Sequence, residues 1–297
     1  MADHVLKLAC CEYDRTRALL DGRVGIDGWQ VETTSRPTAE LFPLAVGTAP
    51  YDITEMSLSS YLMQVSRGQG AYVAVPIFVS RAFRHGDIYV RTASGIREPK
   101  NLEGCLLGVP EYQMTLALWV RGILQDEYGV DIRSIHYRTG GVNITGRKER
   151  LPLDLPEDLD VKPIAEGETL NDWLAAGKLD AVMAPEPPAC FTSDGIRRLF
   201  EDPQSVERDY FARTSLFPIM HVIGIRKSLL TEHPGLDRAV VDAFGEAMAL
   251  SGAEPVRPDG VAENCRELEA MIRYAHEQNL TARKLGIEEL FAPETLK

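Results

Sequence analysis

The sequence predicts an α/β protein built from two lobes, and three features of the chain support this fold class. Short apolar runs alternate with segments of helical periodicity, a pattern typical of mostly parallel sheets covered by helices. A second series of such alternations begins near residue 88, and one more strand-like run follows at 219–225. The 297 residues are enough for two units of about 100–200 residues each.

The apolar pattern predicts the elements in order along the chain. In the first series the predicted strands are 5–9, 29–33, 51–53 and 72–76, and the predicted helices are 16–20, 39–46 and 58–65. In the second series the predicted strands are 88–90, 106–109, 135–138, 161–164 and 179–183, with a long helix ending at Gly129 and another at 169–176. Helices at 237–250 and 261–278 follow the last strand. We therefore expect residues 1–90 and 215–297 to form lobe one, and residues 91–214 to form lobe two.

The composition indicates a compact protein and argues against several classes of partner. Apolar residues make up 44% and charged residues 26% of the chain, as in ordinary soluble domains. Acidic residues outnumber basic ones by 44 to 32, and no basic patch indicates nucleic acid or a membrane surface as a partner. No apolar run approaches the roughly 20 residues of a membrane span.

The cysteines and the first residues bear on the cellular compartment. The five cysteines, an odd number without CxxC spacing, argue against a disulfide framework and a structural zinc site. Only nine residues precede Cys10, and they lack the basic start and apolar stretch of an export signal. We therefore expect a protein of the reducing cytoplasm.

Motifs for nucleotides, zinc proteolysis and hydrolase nucleophiles do not occur in the sequence. There is no GxGxxG after a predicted strand, no GxxxxGK[ST], no HExxH and no GxSxG. His85, His221 and a carboxylate could together bind a divalent cation, but their spacing is unspecific. The sequence therefore predicts no cofactor and no metal.

Polar side chains follow two predicted strands where the next helix begins. In such sheets ligands bind beyond the carboxyl ends of the strands, so we expect these side chains to line a ligand cleft between the lobes. The unpaired N–H groups at the start of the second helix could bind an anion, or a side chain there could simply cap the helix. The candidate substrate-binding residues are Ser57, Ser59 and Ser60 at the first junction, and Tyr112, Gln113, Met114 and Thr115 at the second, where Glu111 is a catalytic candidate.

Basic residues are concentrated in one short segment, which contains Arg81, Arg84 and His85. Two arginines can clamp a carboxylate through paired N–H donors, and a histidine titrates in the range useful for proton transfer; a solvated basic loop is the alternative. His221, on the returning strand, is the second histidine expected at the cleft, although a histidine in an apolar run is more often a core residue. Glu186, between prolines after the strand 179–183, is also expected at the cleft edge.

Six segments together carry a family likeness that covers nearly the whole chain. They are EYDRTRALLDGRV (12–24), DITEMSLSSYL (52–62), FRHGDIYV (83–90), VPEYQMTLALWVRGILQDEYGV (109–130), LFPIMH (216–221) and LGIEELFAPE (285–294). These segments resemble the 4,5-dihydroxyphthalate decarboxylase family. The resemblance implies a type 2 periplasmic-binding-protein-like fold and a cytoplasmic carboxy-lyase of phthalate degradation, which converts 4,5-dihydroxyphthalate to protocatechuate and carbon dioxide. The chain departs from the family at 251–259, where members carry a longer helical segment.

Decarboxylation of such an electron-rich aromatic dicarboxylate requires a proton at the ring carbon that loses its carboxylate, and in principle it requires no cofactor. We expect His85 to donate this proton, with His221 as the alternative. If neither histidine acts, the candidates are carboxylic acids whose pKa is raised by burial, namely Glu55, Glu111 and Glu186.

The second carboxylate of the substrate offers a way to orient the ring. We expect Arg81, Arg84 and the helix start at 113–115 to bind it. Two other functions remain open from the sequence: a carboxylate-binding protein of the periplasmic type without catalysis, and a related lyase that acts on a different dicarboxylate. The sequence also leaves a homo-oligomer open.

Overall fold

The chain divides into two compact units in the computed structural model, which describes residues 4–192, 195–252 and 256–296. Unit 1 comprises Met1–Arg81, Ile219–Arg273 and Thr281–Lys297, and unit 2 comprises Ala82–Pro218 and Tyr274–Leu280. The boundaries expected from the sequence lay after residues 90 and 214, and they assigned 274–280 to lobe one.

The described strands and helices alternate through most of the chain, as in other α/β proteins. The strands are β1 (Leu6–Cys10), β2 (Val31–Ser35), β3 (Ile53–Ser57), β4 (Tyr72–Arg81), β5 (Ile88–Arg91), β6 (Leu106–Val109), β7 (His136–Thr139), β8 (Val161–Pro163), β9 (Ala181–Met183), β10 (Ile196–Arg198) and β11 (Ile219–Arg226). The helices are α1 (Asp14–Leu20), α2 (Thr38–Val46), α3 (Leu58–Ser66), α4 (Thr115–Tyr128), α5 (Leu170–Ala175), α6 (Pro203–Thr214), α7 (Lys227–Glu232), α8 (Leu236–Leu250) and α9 (Cys265–Glu277).

Backbone pairing and close packing explain where the two units divide. Strand β5 pairs antiparallel with β9 and β10, so its hydrogen bonds fix residues 88–91 in the second sheet. The end of α9 belongs to unit 2 because Tyr274 packs directly on Gly122 of α4. A Cβ added at Gly122 would lie 2.4 Å from the Tyr274 ring, so this contact requires a glycine.

The sheet of unit 1 has the strand order β2-β1-β3-β11-β4. Strand β1 pairs in parallel with β2 and β3, whereas β11 lies antiparallel between β3 and β4. Apolar side chains of the strands, such as Leu8 and Ile223, pack in one core with residues of α1 and α8. The insertion of β11 places His221 opposite Ser57 on one side and Ser80 on the other.

Strand β4 is longer than the predicted 72–76 and ends at Arg81. Pro76 is tolerated inside it because β4 is an edge strand and its pairing with β11 is irregular between Val75 and Ser80. Arg81 is therefore the last residue of a strand, whereas the sequence pattern had grouped it with Arg84 and His85 in one segment.

The sheet of unit 2 has the order β10-β5-β9-β6-β7-β8. Strands β6 to β9 pair in parallel, and β5 and β10 form an antiparallel edge. Strand β6 leads into α4, in which every residue from Thr115 to Leu124 is buried. Among the described residues, no helix has the length and apolar character needed to cross a membrane.

Candidate active site

A histidine and a glutamate form a buried pair in unit 1. Glu55 lies on β3 opposite Ile223 of β11, so its side chain shares a face with that of His221 two residues away. Nδ1 of His221 lies 2.7 Å from Oε1 of Glu55. The Glu55 side chain is fully buried, whereas His221 keeps 16% of its side-chain surface exposed. Within the described part of the chain, Nε2 of His221 makes no hydrogen bond, so this nitrogen can reach a ligand.

Two further donors complete the surroundings of Glu55. The Tyr13 hydroxyl donates to Oε1 at 2.7 Å, and the backbone N–H of Cys11 donates to Oε2 at 2.7 Å. Burial raises the pKa of Glu55, but the hydrogen bond and charge of His221, together with the donors at Cys11 and Tyr13, bring the pKa below its ordinary value. Glu55 is therefore ionised, and Nδ1 of His221 carries the proton that it donates.

The start of α3 lies at the same edge of the sheet as His221. Ser57, the cross-strand neighbour of His221, is the N-cap residue of this helix and makes no side-chain capping bond. Its Oγ lies 3.4 Å from that of Ser59, and Ser60 is also buried. The ring of Phe42 meets His221 edge-on, with 4.8 Å between ring centroids. An imidazole, serine hydroxyls and helix N–H groups therefore converge at one edge.

Arg81 brings a positive charge to the end of the neighbouring strand β4. Its guanidinium donates to Asn264 and lies 5.3 Å from the ring centroid of Phe78. Burial lowers the pKa of Arg81 to about 10, with the carboxylates of Glu267 and Asp259 opposing that effect. Arg81 consequently remains charged at neutral pH.

His85, the first candidate for the proton donor, is buried in unit 2 among aromatic and aliphatic side chains. Its ring lies against Phe200 and Tyr210, with centroid distances of 5.5 and 5.2 Å. Neither ring nitrogen makes a hydrogen bond in the described residues, and Nδ1 is 4.0 Å from Glu207. Burial, with a smaller contribution from the charge of Arg213, lowers the pKa of His85 to about 4. At neutral pH this histidine holds no proton to donate from an imidazolium.

Glu111 is held by two arginines that the sequence pattern did not single out. Arg147 donates to its Oε1 through Nε and Nη2 at 2.9 and 2.7 Å. Arg150 donates to Oε2 through Nε at 2.7 Å and to Oε1 through Nη2 at 3.1 Å. The Glu111 side chain is only 2% exposed, so the carboxylate is enclosed by the two guanidinium groups. Both carboxylate oxygens thus accept hydrogen bonds from arginines, which disfavours a role of Glu111 as an acid.

The junction before α4, where an anion was expected, receives a carboxylate from the chain itself. Glu149 accepts the backbone N–H groups of Tyr112 and Gln113, at 2.5 and 3.4 Å, and the side-chain amide of Gln113 at 3.0 Å. The Tyr112 ring lies 3.8 Å from the guanidinium of buried Arg121. Tyr112 and Gln113 thus have partners that fix this turn without a ligand.

The other candidates from the sequence lie in unit 2 in varied surroundings. Met114 is the N-cap residue of α4, and Thr115 is the buried first residue of that helix. Arg84 donates to Asp87 at 3.0 Å, whereas Glu186 is exposed after β9. The structure therefore gathers His221, Ser57, Ser59, Ser60 and Arg81 in unit 1, and it assigns the remaining candidates to unit 2.

Several contributing residues escaped the sequence pattern. The sequence does not indicate Tyr13 and Glu55 as partners of His221, because Tyr13 and Glu55 are 42 positions apart and Glu55 and His221 are 166 positions apart. The charged run RKER at 147–150 contains Arg147, Glu149 and Arg150. Its two arginines donate to Glu111, and its glutamate accepts from the backbone of Tyr112, just before α4. That run was the one local signal that could have indicated this contact.

The described residues contain no group of three histidine, cysteine, aspartate or glutamate side chains that could hold a metal ion. The two histidines considered for a metal site from the sequence belong to different units. No site for a divalent cation emerges from the described part of the chain.

Comparison with known proteins identifies the family. Over 98% of its length the chain is 39% identical to the 4,5-dihydroxyphthalate decarboxylase of Comamonas testosteroni, of which it covers 97%. The chain belongs to the 4,5-dihydroxyphthalate decarboxylase family. A second decarboxylase of this family, from Pseudomonas putida, is 42% identical over 71% of the chain and 82% of that protein. No family model matches the sequence.

The alignment with the Comamonas decarboxylase also shows a difference in length. It spans 321 positions, more than the 297 residues of this chain, so that relative carries segments that this chain lacks. The shortened segment expected at 251–259 includes 253–255, which lie outside the described residues.

Solved structures with the same architecture are periplasmic-binding-protein-like. The aliphatic sulfonate-binding protein SsuA of Escherichia coli matches with a TM-score of 0.57 at 13% identity, over 99% of both chains. SsuA of Xanthomonas axonopodis pv. citri, bound to MOPS, matches with a TM-score of 0.55 at 13% identity, over 97% of this chain and 98% of that one. The desulfurization enzyme DSZB matches with a TM-score of 0.51 at 16% identity, over 98% and 97%. The decarboxylase family member described here therefore has the type 2 periplasmic-binding-protein-like fold predicted from the sequence.

Proposed function

We propose that the protein decarboxylates 4,5-dihydroxyphthalate to protocatechuate and carbon dioxide, with His221 as the proton donor. Its family relatives are named for this reaction. The observation that carries the assignment of the donor is the 2.7 Å contact between Nδ1 of His221 and the ionised, fully buried Glu55. A carboxylate at this distance stabilises the imidazolium and leaves Nε2 to face the substrate.

The reaction needs one proton and a path for one electron pair. Nε2 of the His221 imidazolium donates its proton to the ring carbon that bears the departing carboxylate, and the hydroxyl para to that carbon stabilises the positive charge in the ring. The bond to the carboxylate then breaks, its electron pair restores the aromatic ring, and carbon dioxide leaves. His221 regains a proton from water, so the substrate dianion and one proton yield the protocatechuate anion and carbon dioxide.

The edge of the unit 1 sheet offers groups that suit a dicarboxylate. The start of α3, with Ser57 and Ser59, supplies hydroxyls and N–H groups next to His221. Arg81 supplies a positive charge from the end of β4, one residue after Ser80, the other cross-strand neighbour of His221. In this proposal these groups bind the carboxylates and hold the ring carbon near Nε2.

The decisive experiment combines substrate conversion with an isotope. Purified protein is incubated with 4,5-dihydroxyphthalate in D₂O, and carbon dioxide and protocatechuate are measured together. The proposal expects equal amounts of both products, with one deuterium on the ring carbon that lost the carboxylate. Absence of both products with well-folded protein would leave the second candidate, a lyase for a different dicarboxylate, which is favoured by the segments that this chain lacks relative to the Comamonas decarboxylase.

We also propose a cytoplasmic location. All five cysteines are free thiols, as expected in a reducing compartment. Fractionation of cells that express the protein tests this, with recovery in the periplasm as the contrary result.

A further inference from the structure

The two carboxylate oxygens of Glu55 accept different numbers of hydrogen bonds. Oε1 accepts from both Nδ1 of His221 and the hydroxyl of Tyr13, each at 2.7 Å. Oε2 accepts from the backbone N–H of Cys11 at 2.7 Å. A buried carboxylate is costly unless its partners satisfy it, so these three donors keep Glu55 ionised inside the unit.

Resting on the proposed function, we infer that Glu55 and Tyr13 are positioning residues that act on the proton donor in opposite directions. Glu55 holds the imidazolium of His221 and orients the ring, and Tyr13 weakens that hold because it donates to the same carboxylate oxygen. Neither residue needs to touch the substrate, since both act through His221.

The geometry explains why the two donors oppose each other. The Tyr13 hydroxyl lies 3.3 Å from Nδ1 of His221, so both donors approach Oε1 from neighbouring directions. The partial positive charge of the hydroxyl hydrogen offsets part of the negative charge that His221 experiences. Removing Glu55's charge should therefore release the imidazolium proton at lower pH, whereas removing the Tyr13 hydroxyl should retain it to higher pH.

The other groups packed around His221 do not titrate near neutral pH. Burial, with the charge of Glu55 second, raises the pKa of the Cys11 thiol to about 12, and the same causes raise the pKa of Tyr13. Helix α2 contributes the ring of Phe42, β3 contributes Ser57, and β4 contributes Ser80 followed by Arg81, which stays charged. These neighbours therefore keep their charge while the contact between His221 and Glu55 is tested.

The test measures the His221 titration directly by NMR of ring-labelled histidine in the substrate-free protein. Among the six histidines, His221 is assigned by the signal that disappears in His221→Gln. In Glu55→Gln we expect its titration midpoint to fall by about 1–3 pH units, the range for loss of a neighbouring opposite charge. In Tyr13→Phe we expect the midpoint to rise by less than about 1 pH unit, the scale of one neutral hydrogen bond.

A matched control separates this local effect from a general loss of charge. Glu12 is exposed, lies next to Tyr13 in the sequence and pairs with Arg17, so Glu12→Gln removes one negative charge outside the cluster. We expect it to leave the His221 midpoint unchanged. Tyr13→Phe removes only one oxygen, so it keeps the test available if Glu55→Gln does not fold.

Kinetics supply the second readout. The high-pH limb of kcat/KM should move to lower pH in Glu55→Gln and to higher pH in Tyr13→Phe, a pattern that a purely structural defect would not produce. Shifts of the same sign in both variants, or no shift in either, would overturn the inference. Because the NMR titration needs no turnover, it distinguishes this failure from an absence of decarboxylase activity in the wild-type protein.

Discussion

The two histidines considered for catalysis are both largely enclosed, yet they have very different partners. His221 in unit 1 donates to an ionised glutamate at 2.7 Å, whereas His85 in unit 2 is enclosed by the rings of Phe200 and Tyr210 and makes no hydrogen bond to the described residues. Burial alone favours the neutral imidazole, and a nearby carboxylate favours the charged one. The comparison shows that two largely enclosed histidines can differ in whether a carboxylate lies within hydrogen-bond distance, and this difference supports the proposal of His221 rather than His85 as the donor.

The two buried glutamates, Glu55 and Glu111, also differ in the chemistry of their partners. Glu55 pairs with an imidazole, a group that can transfer protons, and Glu111 pairs with two guanidinium groups, which cannot. The first pair can therefore take part in proton transfer. The second is a fixed ionic contact that holds the 147–150 run against the start of α4.

The largest expected effect follows from replacing the proposed donor. We expect His221→Ala to reduce the rate of the chemical step by about 10²–10⁴, the usual contribution of a positioned acid, with substrate affinity changed much less. Single-turnover measurements beside equilibrium binding give both quantities. His85→Leu is the matched control and should retain near-normal turnover, because the leucine suits its apolar surroundings. A large loss in His85→Leu with normal turnover in His221→Ala would reverse the comparison.

The next effect concerns stability in unit 2. Removing one partner of a buried ion pair leaves the other charge uncompensated, so we expect Glu111→Gln to lower the free energy of unfolding by about 3–5 kcal/mol. Arg147 is 35% exposed, and Arg147→Ala should cost only about 1 kcal/mol. Urea unfolding measures both. A Glu111→Gln variant of normal stability that loses catalysis would instead favour Glu111 as a catalytic acid.

The pH dependence of the free energy of unfolding should show that His85 has a lowered pKa in the folded protein. Its pKa falls from 6.5 to about 4 on folding, because burial disfavours the charged form. The unfolded state therefore binds more protons between these values, and the contribution of His85 is complete above pH 6.5 and lost as the pH falls toward 4. A difference of one between the folded and unfolded pKa corresponds to about 1.4 kcal/mol, so the loss of stability should approach about 3 kcal/mol.

Urea unfolding of wild type and His85→Leu from pH 4 to 7 checks this expectation. The stability difference between the two proteins should change in favour of His85→Leu as the pH falls. A pH-independent difference would mean that His85 titrates normally in the folded protein.

Local sequence patterns predicted the architecture better than the site. Strands such as β6 and β9 were predicted because apolar runs bounded by turn residues need only local information. The contact between Glu55 and His221 joins residues 166 positions apart, and it depends on β11 entering the sheet between β3 and β4. No local pattern encodes that order of strands. The pairing of Glu111 with Arg147 and Arg150 was not predicted either, because these residues are 36 and 39 positions apart in the sequence.

The smallest expected effect is a loss of substrate affinity, and it should differ between Arg81 and Arg84, the two arginines of one basic segment. Arg81 ends a strand of unit 1 near His221, whereas Arg84 lies in unit 2 and donates to Asp87. We expect Arg81→Ala to weaken binding of 4,5-dihydroxyphthalate by roughly 1.5–3 kcal/mol, the scale of a charge-assisted hydrogen bond, and Arg84→Ala by less than about 1 kcal/mol.

Calorimetry in the His221→Ala background measures both affinities, because the substrate is then consumed too slowly to disturb the titration. Arg81→Lys serves as the control, because it keeps the charge but loses the planar arrangement of N–H donors. Its affinity for 4,5-dihydroxyphthalate should lie between those of the protein with Arg81 and of Arg81→Ala. Equal losses for Arg81→Ala and Arg84→Ala would restore the two-arginine clamp expected from the sequence. In that case a site built from unit 1 alone would be rejected.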